Sequence, residues 1–291
     1  MQTEAQSNPM PRISVFGGFG FVLGEFCKQN KDSVIRIEKS EIVPQSPVIL
    51  YGIGTIDNYN VFDSPTLDIE TNLIHFMEVL DACHKKYDSK FSFTLISTWF
   101  VYGHSGAPTM SEGGYCNPTG FYSITARARE QLLISYCETF GIRYKILRLA
   151  NVLGSKDTKV SKKKNALQYI LQRIVMDEPV ELYDNGEFYR DYIDVRDCAV
   201  AIRLAMESPL PYTIYNISNG KSHKFKDLIT FAIEYAGSKS TAWEKLDKPD
   251  FHKIVQTKDV SLSNSRLIEV GYKQKYSIED TLRNIIDDYK R

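Results

Sequence analysis

The sequence predicts an α/β fold built on a parallel sheet, because short β-branched and aromatic runs alternate with longer amphipathic stretches. The predicted strands cover residues 13–16, 33–37, 48–51, 91–97, 144–149 and 213–217. Residues 67–86 place apolar side chains on one helical face, and another helix is expected after Pro118, ending at Gly141. Strand, helix and strand in this order imply right-handed crossovers and ligands at the carboxyl ends of the strands.

The pattern changes after Leu153. A helix-like run over residues 166–176 is followed by turn signals at Asp184, Asn185 and Gly186. The later chain is therefore predicted to form mainly a smaller lobe that closes over the edge of the sheet. Three consecutive lysines, residues 162–164, are interpreted as a solvated loop.

Composition excludes several classes of function. The 36 basic and 36 acidic residues cancel, whereas general nucleic-acid binders and membrane-surface proteins usually carry a basic excess. The five cysteines are odd in number and form no CxxC pair, which argues against a disulfide framework or a metal site. No stretch approaches the roughly 18 apolar residues of a membrane span. We expect a soluble cytoplasmic protein without nucleic-acid or membrane partners.

A glycine-rich turn follows the first predicted strand in "ISVFGGFGFVLGEF". Gly17, Gly18, Gly20 and Gly24 would allow a tight turn and let backbone N–H groups at the start of a helix approach a pyrophosphate. A turn with no ligand is the competing interpretation.

The second predicted strand ends just before Glu38, about twenty residues after the turn. A carboxylate there can accept hydrogen bonds from ribose hydroxyls, which favours NAD over NADP. Arg36 and Lys39 could instead hold a 2′-phosphate, so NADP is not excluded. A plain surface position is the alternative for Glu38.

Thr98 and Tyr122 are the candidate proton-handling pair. Thr98 ends the fourth strand, so its hydroxyl would face the ligand crevice. A tyrosine with a pKa of about 10 is a poor base near neutral pH unless a cation or the positive charge of a bound cofactor lowers that pKa. One helical turn after Tyr122 stands Ala126, which carries no charge. Arg127 points to another side of the helix, and Arg129 lies about 10 Å along it, so neither is expected to replace an ammonium directly. The competing roles are a strand-end hydroxyl and a packing tyrosine.

Seven motifs in order resemble the extended short-chain dehydrogenase/reductase family, in its NAD-dependent epimerase/dehydratase branch acting on nucleotide sugars. They are "GGFGF", "STWFVYG", the tyrosine of "FYSITARARE", "LRLANVLG", "RDYIDVRD", "YNISNG" and "DVSLSNSRLIEVGYKQKYSIEDTL". The resemblance covers nearly the whole chain.

The resemblance implies a Rossmann-type doubly wound parallel sheet with a smaller C-terminal substrate lobe. Residues 1–154 would bind the dinucleotide, with a returning segment near 191–217, and residues 155–291 would mainly bind the nucleotide sugar. It also implies that Tyr122 is the acid/base, that Thr98 bonds the sugar oxygen, and that Asn151 and Arg190 contact the diphosphate. The implied cofactor is NAD, and the long helices would pair in a homodimer.

Three departures from the family pattern concern its cofactor side. Its lysine position is Ala126, and an isolated loss in ordinary surroundings indicates an inactivating, engineered substitution rather than gradual decay. Leu23 stands at the third glycine position, so the turn is expected to be locally rearranged. Only about ten residues separate Glu38 from the next strand, which predicts a truncated adenine pocket.

A fourth departure concerns the reaction. Trp99 and Phe100 occupy positions where 4,6-dehydratases of the family carry acidic residues, and aromatic rings cannot transfer those protons. The expected reaction is therefore 4-epimerisation, 4-keto reduction or C4 oxidation. A binding protein without turnover is the alternative. Cys116 could approach the sugar as an extra acid or base, although a structural thiol is the preferred interpretation.

Overall fold

The computed structural model describes residues 12–56, 58–157, 160–161, 165–210, 213–240, 250–255 and 259–291, together with the backbone of residues 243–246. The lysine run at residues 162–164 lies outside the described residues. Within them, no helix is both long and apolar enough to cross a lipid bilayer.

The first half of the chain alternates strands and helices. The elements are β1 Ile13–Phe16, α1 Phe21–Gln29, β2 Val34–Ile37, β3 Val48–Tyr51, α2 Asn60–Asp63, α3 Leu67–Ile69, α4 His75–Tyr87, β4 Ser92–Thr98, α5 Phe121–Phe140 and β5 Arg143–Leu149. A 3₁₀ turn, Trp99–Tyr102, follows β4. Helix α5 ends at Gly141 in the left-handed conformation, as the sequence predicts.

The second half continues with shorter elements. They are β6 Asn151–Leu153, α6 Ala166–Val175, β7 Val180–Tyr183, β8 Tyr189–Asp194, α7 Val195–Glu207, β9 Ile214–Ile217, β10 Ser222–Lys224, α8 Phe225–Ala236, β11 Trp243–Leu246, α9 Asp250–Val255, α10 Ser265–Glu269 and α11 Ile278–Tyr289.

Six strands form one parallel sheet in the order β2-β1-β3-β4-β5-β9, which confirms the predicted sheet. Every predicted strand lies in it, with ends that differ by no more than one residue. The chain leaves β1 in one direction toward β2 and continues on the other side with β3, so the strand order reverses beside β1. Ligands of such sheets bind in the crevice at this reversal, where the loops after β1 and β3 meet.

The connection between β2 and β3 is as short as the sequence predicts. Residues 38–47, all of them described, contain no helix or strand. The backbone N–H groups of Gln45 and Ser46 donate to the Ser14 hydroxyl over 2.9 and 2.8 Å, and Lys86 donates to the carbonyl of Pro44 over 2.8 Å. This segment packs against the sheet face where a crossover helix would otherwise lie.

The helix predicted over residues 67–86 is interrupted. Between α3 and α4 the chain forms a π-helical segment, Glu70–Ile74, that turns the Asn72 side chain into the core. There Asn72 accepts from the N–H of Thr55 and donates to the hydroxyl of Thr125. Apolar periodicity does not report this interruption, because its cause is a polar contact with a distant part of the chain.

Three apolar cores hold the molecule together. One lies between the sheet and α1 and α7, and a second lies between the sheet and α4 and α5. The third packs α6, α8 and α11 around Leu171, Ile229 and Ile285 in the C-terminal lobe. The lobe also carries a three-stranded sheet, β10-β8-β6, and a two-stranded one, β11-β7.

Candidate active site

The glycine turn lies at the reversal of the strand order. Gly17 has φ +86°, and a Cβ there would approach the carbonyl carbon of Gly52, after β3, to 3.0 Å. Gly20 begins α1 without a side-chain cap, so the first N–H groups of the helix keep no intrahelical acceptor. A glycine-lined cradle at the positive end of a helix fits a pyrophosphate.

Leu23, at the third glycine position, is accommodated by a glycine elsewhere. The buried Leu23 side chain lies over Gly52, where an added Cβ would collide with Leu23 Cδ1. Helix α1 and strand β3 can therefore still approach each other closely, because the small residue at the contact is Gly52 after the strand. The sequence signal was a glycine immediately after an apolar strand, in "VILYG".

Both candidate determinants of cofactor preference lie at the surface near the turn. Glu38 follows β2 directly and is exposed. The Arg36 guanidinium lies 5.5 Å from the centre of the Phe19 ring, and a Cβ on Gly18 would approach Arg36 Cγ to 3.2 Å. A carboxylate and a guanidinium therefore flank the same turn.

Phe100 joins the two candidate proton-handling residues. Its backbone N–H donates to Thr98 Oγ1 over 3.3 Å, and its ring contacts the Tyr122 ring edge-on with centroids 5.8 Å apart. Trp99 stacks on Phe100 at 4.0 Å. Phe100 thus contacts both candidate residues. Thr98 lies at the carboxyl end of β4, and the half-buried Tyr122 lies in the first turn of α5.

Ala126 is fully buried one turn beyond Tyr122. The polar side chain that reaches this region is Arg129, which is 4% exposed. Its Nη1 donates to the carbonyl of Ile53 over 2.8 Å and its Nη2 to that of Ile96 over 3.3 Å. The Arg129 Cα lies two turns along α5 from Tyr122, but its guanidinium reaches back to the carboxyl ends of β3 and β4.

A second buried arginine lies beside the first. Arg148 on β5 donates to Glu130 through Nε at 3.0 Å and Nη2 at 2.8 Å, and Ser97 donates to the same carboxylate at 2.6 Å. Arg127 adds a third cationic contact at 2.7 Å. Although burial lowers the pKa of Arg148, hydrogen bonding and charge interaction with Glu130 raise that pKa above its ordinary value.

A cavity of about 450 Å³ opens beside Trp99 and Phe100. Asn151 and Arg190 both line it. Asn151 accepts from Trp99 Nε1 over 3.3 Å and donates to the carbonyl of Asp191 over 2.9 Å. Most of the remaining wall comes from the C-terminal lobe, which contributes the aromatic side chains of Tyr169, Tyr183, Phe188, Tyr192 and Phe225.

Arg190 lies flat against the aromatic wall. Its guanidinium lies 4.6 Å from the centre of the Phe188 ring, and Nη1 donates to the carbonyl of Tyr189 over 2.8 Å. Burial lowers the pKa of Arg190, while the neighbouring Tyr192 and Asp259 raise it again. A guanidinium stacked on an aromatic ring at a cavity wall is suited to bind a diphosphate.

Helix α9 crosses from the C-terminal lobe to the sheet domain above this cavity, which the sequence did not predict. His252 on α9 hydrogen-bonds the Tyr59 hydroxyl, and both residues line the cavity. Thr119 and His104 bond the carbonyl of Ile254 over 2.6 and 2.9 Å. The cavity is therefore closed on one side by a short helix tied to loops of the sheet domain.

Cys116 lies near the buried Arg148–Glu130 pair. Cys116 is half-buried, and burial raises the pKa of its thiol, which donates to the carbonyl of Gly114. A larger cavity of about 730 Å³ lies at the amino-terminal ends of the strands, on the opposite edge of the sheet. Among the described residues, no cluster of three or more His, Cys, Asp or Glu could hold a metal ion.

Solved structures share this fold over nearly the whole chain. A UDP-glucose 4-epimerase from Thermotoga maritima, solved with UDP-glucose, aligns with a TM-score of 0.85 at 21% identity, covering 96% of this chain and 98% of that one. RMD from Pseudomonas aeruginosa, complexed with NADPH, aligns with a TM-score of 0.82 at 20% identity, covering 96% and 99%. A dTDP-glucose 4,6-dehydratase from Actinoplanes sp. is 21% identical over 94% of this chain and 80% of its own length.

Fold and site together define a doubly wound α/β protein with a glycine turn of the dinucleotide-binding type. The chain belongs to the NAD dependent epimerase/dehydratase family, whose model matches residues 26–218.

Proposed function

We propose that the protein is an NAD(P)-dependent oxidoreductase acting at C4 of a nucleotide-activated sugar, as a 4-epimerase, 4-keto reductase or C4 dehydrogenase. The observation that carries the proposal is the arrangement around Phe100. This residue holds Thr98 and Tyr122 at the carboxyl edge of the sheet, and its ring also lines the cavity that contains Asn151 and Arg190. The glycine turn supports a dinucleotide on the other side of the same edge.

Each domain would hold one ligand. Gly17, Gly18 and Gly20 would hold the pyrophosphate of the dinucleotide, and Glu38 its adenosine ribose. Asn151 and Arg190 would hold the diphosphate of the sugar nucleotide. The sheet domain, residues 1–154 with the segment near 191–217, would then bind the cofactor, and residues 155–291 would mainly bind the substrate. Similar structures solved with NADPH or with UDP-glucose support these two ligands.

Thr98 and Tyr122 would handle the proton. In the oxidising direction Thr98 bonds the C4 oxygen and the Tyr122 phenolate accepts the hydroxyl proton, while the C4 hydrogen leaves with its bonding pair as hydride, so that a C4 carbonyl remains. A bound nicotinamide supplies the hydride acceptor. Reduction reverses these transfers, and epimerisation follows if hydride returns to the opposite face.

The residues beside Thr98 favour this chemistry over water elimination. Elimination needs an acid and a base close to the sugar, whereas Trp99 and Phe100 present stacked rings there. The likeness to a dehydratase over most of the chain therefore supports the shared hydride step rather than the elimination.

A binding protein without turnover is the second candidate, and Ala126 favours it because position 126 supplies no ammonium. The test is the appearance of reduced nicotinamide when the protein and its Ala126→Lys variant are each mixed with NAD or NADP and a panel of nucleotide sugars. Because Ala126 is predicted to be an inactivating substitution, we expect the lysine variant to turn over at least one sugar; turnover by the unchanged protein would show that another group stabilises the Tyr122 phenolate. If only the lysine variant turns over, Ala126 is the inactivating substitution. Binding of both ligands without hydride transfer in either form would support the second candidate.

We also propose a homodimer formed through α5 and the helical segment before α4. These elements expose large apolar side chains: Leu67, Ile69, Ile74, Phe121, Ile124, Leu132 and Phe140. Burial of such a face is the usual reason for association. Sedimentation should give about twice the mass of one chain, and Ile124→Glu should give the monomer mass. A monomeric unchanged protein at micromolar concentration would contradict this proposal.

A further inference from the structure

Arg129 is a buried cation without a buried anion of its own. Its guanidinium makes no ion pair in the described part of the chain, and its Nε has no hydrogen-bond partner there. Two backbone carbonyls are its acceptors. Burial of an unpaired charge costs free energy, so a side chain kept in this state calls for a role that uses the charge.

The guanidinium lies beside the first two turns of α5. Side chains on a helix lean toward its N-terminus, and Arg129 is long enough to reach back past Ala126. An added Cβ on Gly54 would lie 2.8 Å from Arg129 Nη1 and 3.1 Å from Asn72 Oδ1. Asn72 in turn donates to Thr125 Oγ1 over 3.0 Å, and that hydroxyl bonds the carbonyl of Tyr122. These contacts connect the charge to the turn that carries Tyr122.

Arg129 and Tyr122 are also coupled electrostatically. Burial lowers the pKa of Arg129, and charge interactions with Tyr51, Tyr122 and Glu130 raise it again. Coupling between two groups is mutual, so a cation that gains from a nearby phenolate stabilises that phenolate.

Four other titratable groups of the described residues lie near Arg129, and each has its own partner or keeps its proton. Burial raises the pKa of Tyr51 on β3, which therefore keeps its proton near neutral pH. Glu130 on α5 is held by Arg148 and Arg127. Asp68 on α3 accepts from Thr55 and Asn60. Glu78 on α4 interacts with Tyr51 and is in reach of His75.

We propose that Arg129 supplies the positive charge that stabilises the Tyr122 phenolate, in place of the ammonium that position 126 lacks. Arg129 is then a positioning residue that acts through Tyr122, and the inference rests on the acid/base role proposed for that tyrosine. The competing role is structural, with the guanidinium only capping the carbonyls of Ile53 and Ile96.

The test measures the phenol itself, without cofactor or sugar. Tyrosine labelled at Cζ is titrated by NMR, with Tyr122→Phe assigning the signal. We expect Tyr122 to titrate below the ordinary value of about 10 in the unchanged protein. Arg129→Gln should raise that pKa by about one unit or more, because the nearby cation is lost. Arg129→Lys should largely keep the low value, and Ala126→Lys added to Arg129→Gln should restore it.

Arg127→Gln is the matched control, since it removes one positive charge from the same helix two residues away and should leave the Tyr122 pKa within a few tenths of a unit. The proposal is overturned if Tyr122 of the unchanged protein titrates at 10 or above, or if Arg129→Gln and Arg127→Gln give the same value. If Arg129→Gln does not fold, the value in the unchanged protein and the Arg129→Lys comparison still decide the question.

The pH dependence of turnover separates this inference from the proposed function. If a nucleotide sugar is oxidised, the acidic limb of kcat/KM should move to higher pH in Arg129→Gln by the shift seen in the phenol titration. Arg127→Gln should leave the limb in place. Failure of every variant to transfer hydride, with the phenol shift present, would reject the oxidoreductase function and leave the Arg129–Tyr122 interaction standing.

Discussion

Two arginines lie buried under α5 at the carboxyl edge of the sheet, and their surroundings differ in one respect. Arg148 is 1% exposed and binds the fully buried Glu130 through two nitrogens. Arg129 is 4% exposed, and its acceptors among the described residues are two backbone carbonyls. Burial lowers the pKa of both, but interactions with Glu130 turn the pKa of Arg148 upward, whereas the pKa of Arg129 stays lowered.

This difference indicates that the charge of Arg148 has a structural role, whereas the charge of Arg129 is available for function. Around Arg148 the positive field is cancelled by its carboxylate, and the pair ties β5 to α5. Around Arg129 the field meets carbonyl dipoles and, more weakly, the Glu130 carboxylate, so it still extends to the tyrosines nearby. A buried cation without a carboxylate stabilises any negative charge that forms beside it.

The largest expected loss of stability comes from removing the carboxylate that Arg148 binds, which would leave it without an anion, as Arg129 is. Glu130→Gln leaves Arg148 buried without its carboxylate and weakens the bond from Ser97, so the free energy of unfolding should fall by about 3–5 kcal/mol. Denaturant unfolding with an unchanged m-value measures this loss. Arg127→Gln is the control, because Glu130 keeps Arg148, and it should cost less than about 1 kcal/mol. Equal losses in the two variants would mean that the Arg148–Glu130 pair is not the stabilising one.

The next largest expected effect is a pH-dependent change in stability caused by Asp191, a buried carboxylate. Asp191 is fully buried and pairs with no cation in the described part of the chain, and burial raises its pKa to about 7 even though Ser218 and the N–H of Leu262 donate hydrogen bonds to it. The folded state therefore holds this proton between about pH 4 and 7 while the unfolded state loses it, so the contribution of Asp191 to stability falls as pH rises through that window.

Asp191→Asn removes this titration. Relative to the unchanged protein, we expect the variant to gain roughly 2–4 kcal/mol in free energy of unfolding between pH 4 and 8. Urea midpoints across that range measure the change. A parallel pH dependence in both proteins would show that Asp191 titrates normally.

A smaller effect tests how close position 126 is to the guanidinium. Ala126→Lys brings a second buried cation toward Arg129, so the substitution should destabilise the unchanged protein more than it destabilises Arg129→Gln. A double-mutant cycle by denaturant unfolding should give a coupling energy of about 1–2 kcal/mol. If the losses in free energy of unfolding are additive, the side chains at positions 126 and 129 do not interact. Arg129 could then not act where an ammonium at position 126 would.

Local patterns were enough to predict the sheet and most of its helices. Strand alternation and helical periodicity depend on neighbours in the chain, so all six strands were located to within one residue of each end. The π-helical turn was missed because Asn72 is drawn inward by Thr55 and Thr125, which no periodicity reveals.

The candidate site divides in the same way. Thr98 follows a strand and Tyr122 starts a helix, so their places at the crevice could be predicted from order alone. Leu23 looked like a disturbance of the glycine turn until the fold placed Gly52 against it. The aromatic wall and α9 come from a lobe whose packing on the sheet has no local signature.

By itself the sequence determined the parallel α/β sheet, the glycine turn, the Thr98 and Tyr122 positions and the absence of a charge at position 126. These features follow from residue type and spacing over a few turns or one strand. Only the tertiary structure decided where the Arg129 charge lies, because a long side chain ends near residues 33 and 76 positions away in the chain. The spacing along α5 predicts the position of the Arg129 Cα, but the contacts with the carbonyls of Ile53 and Ile96 fix the position of its guanidinium.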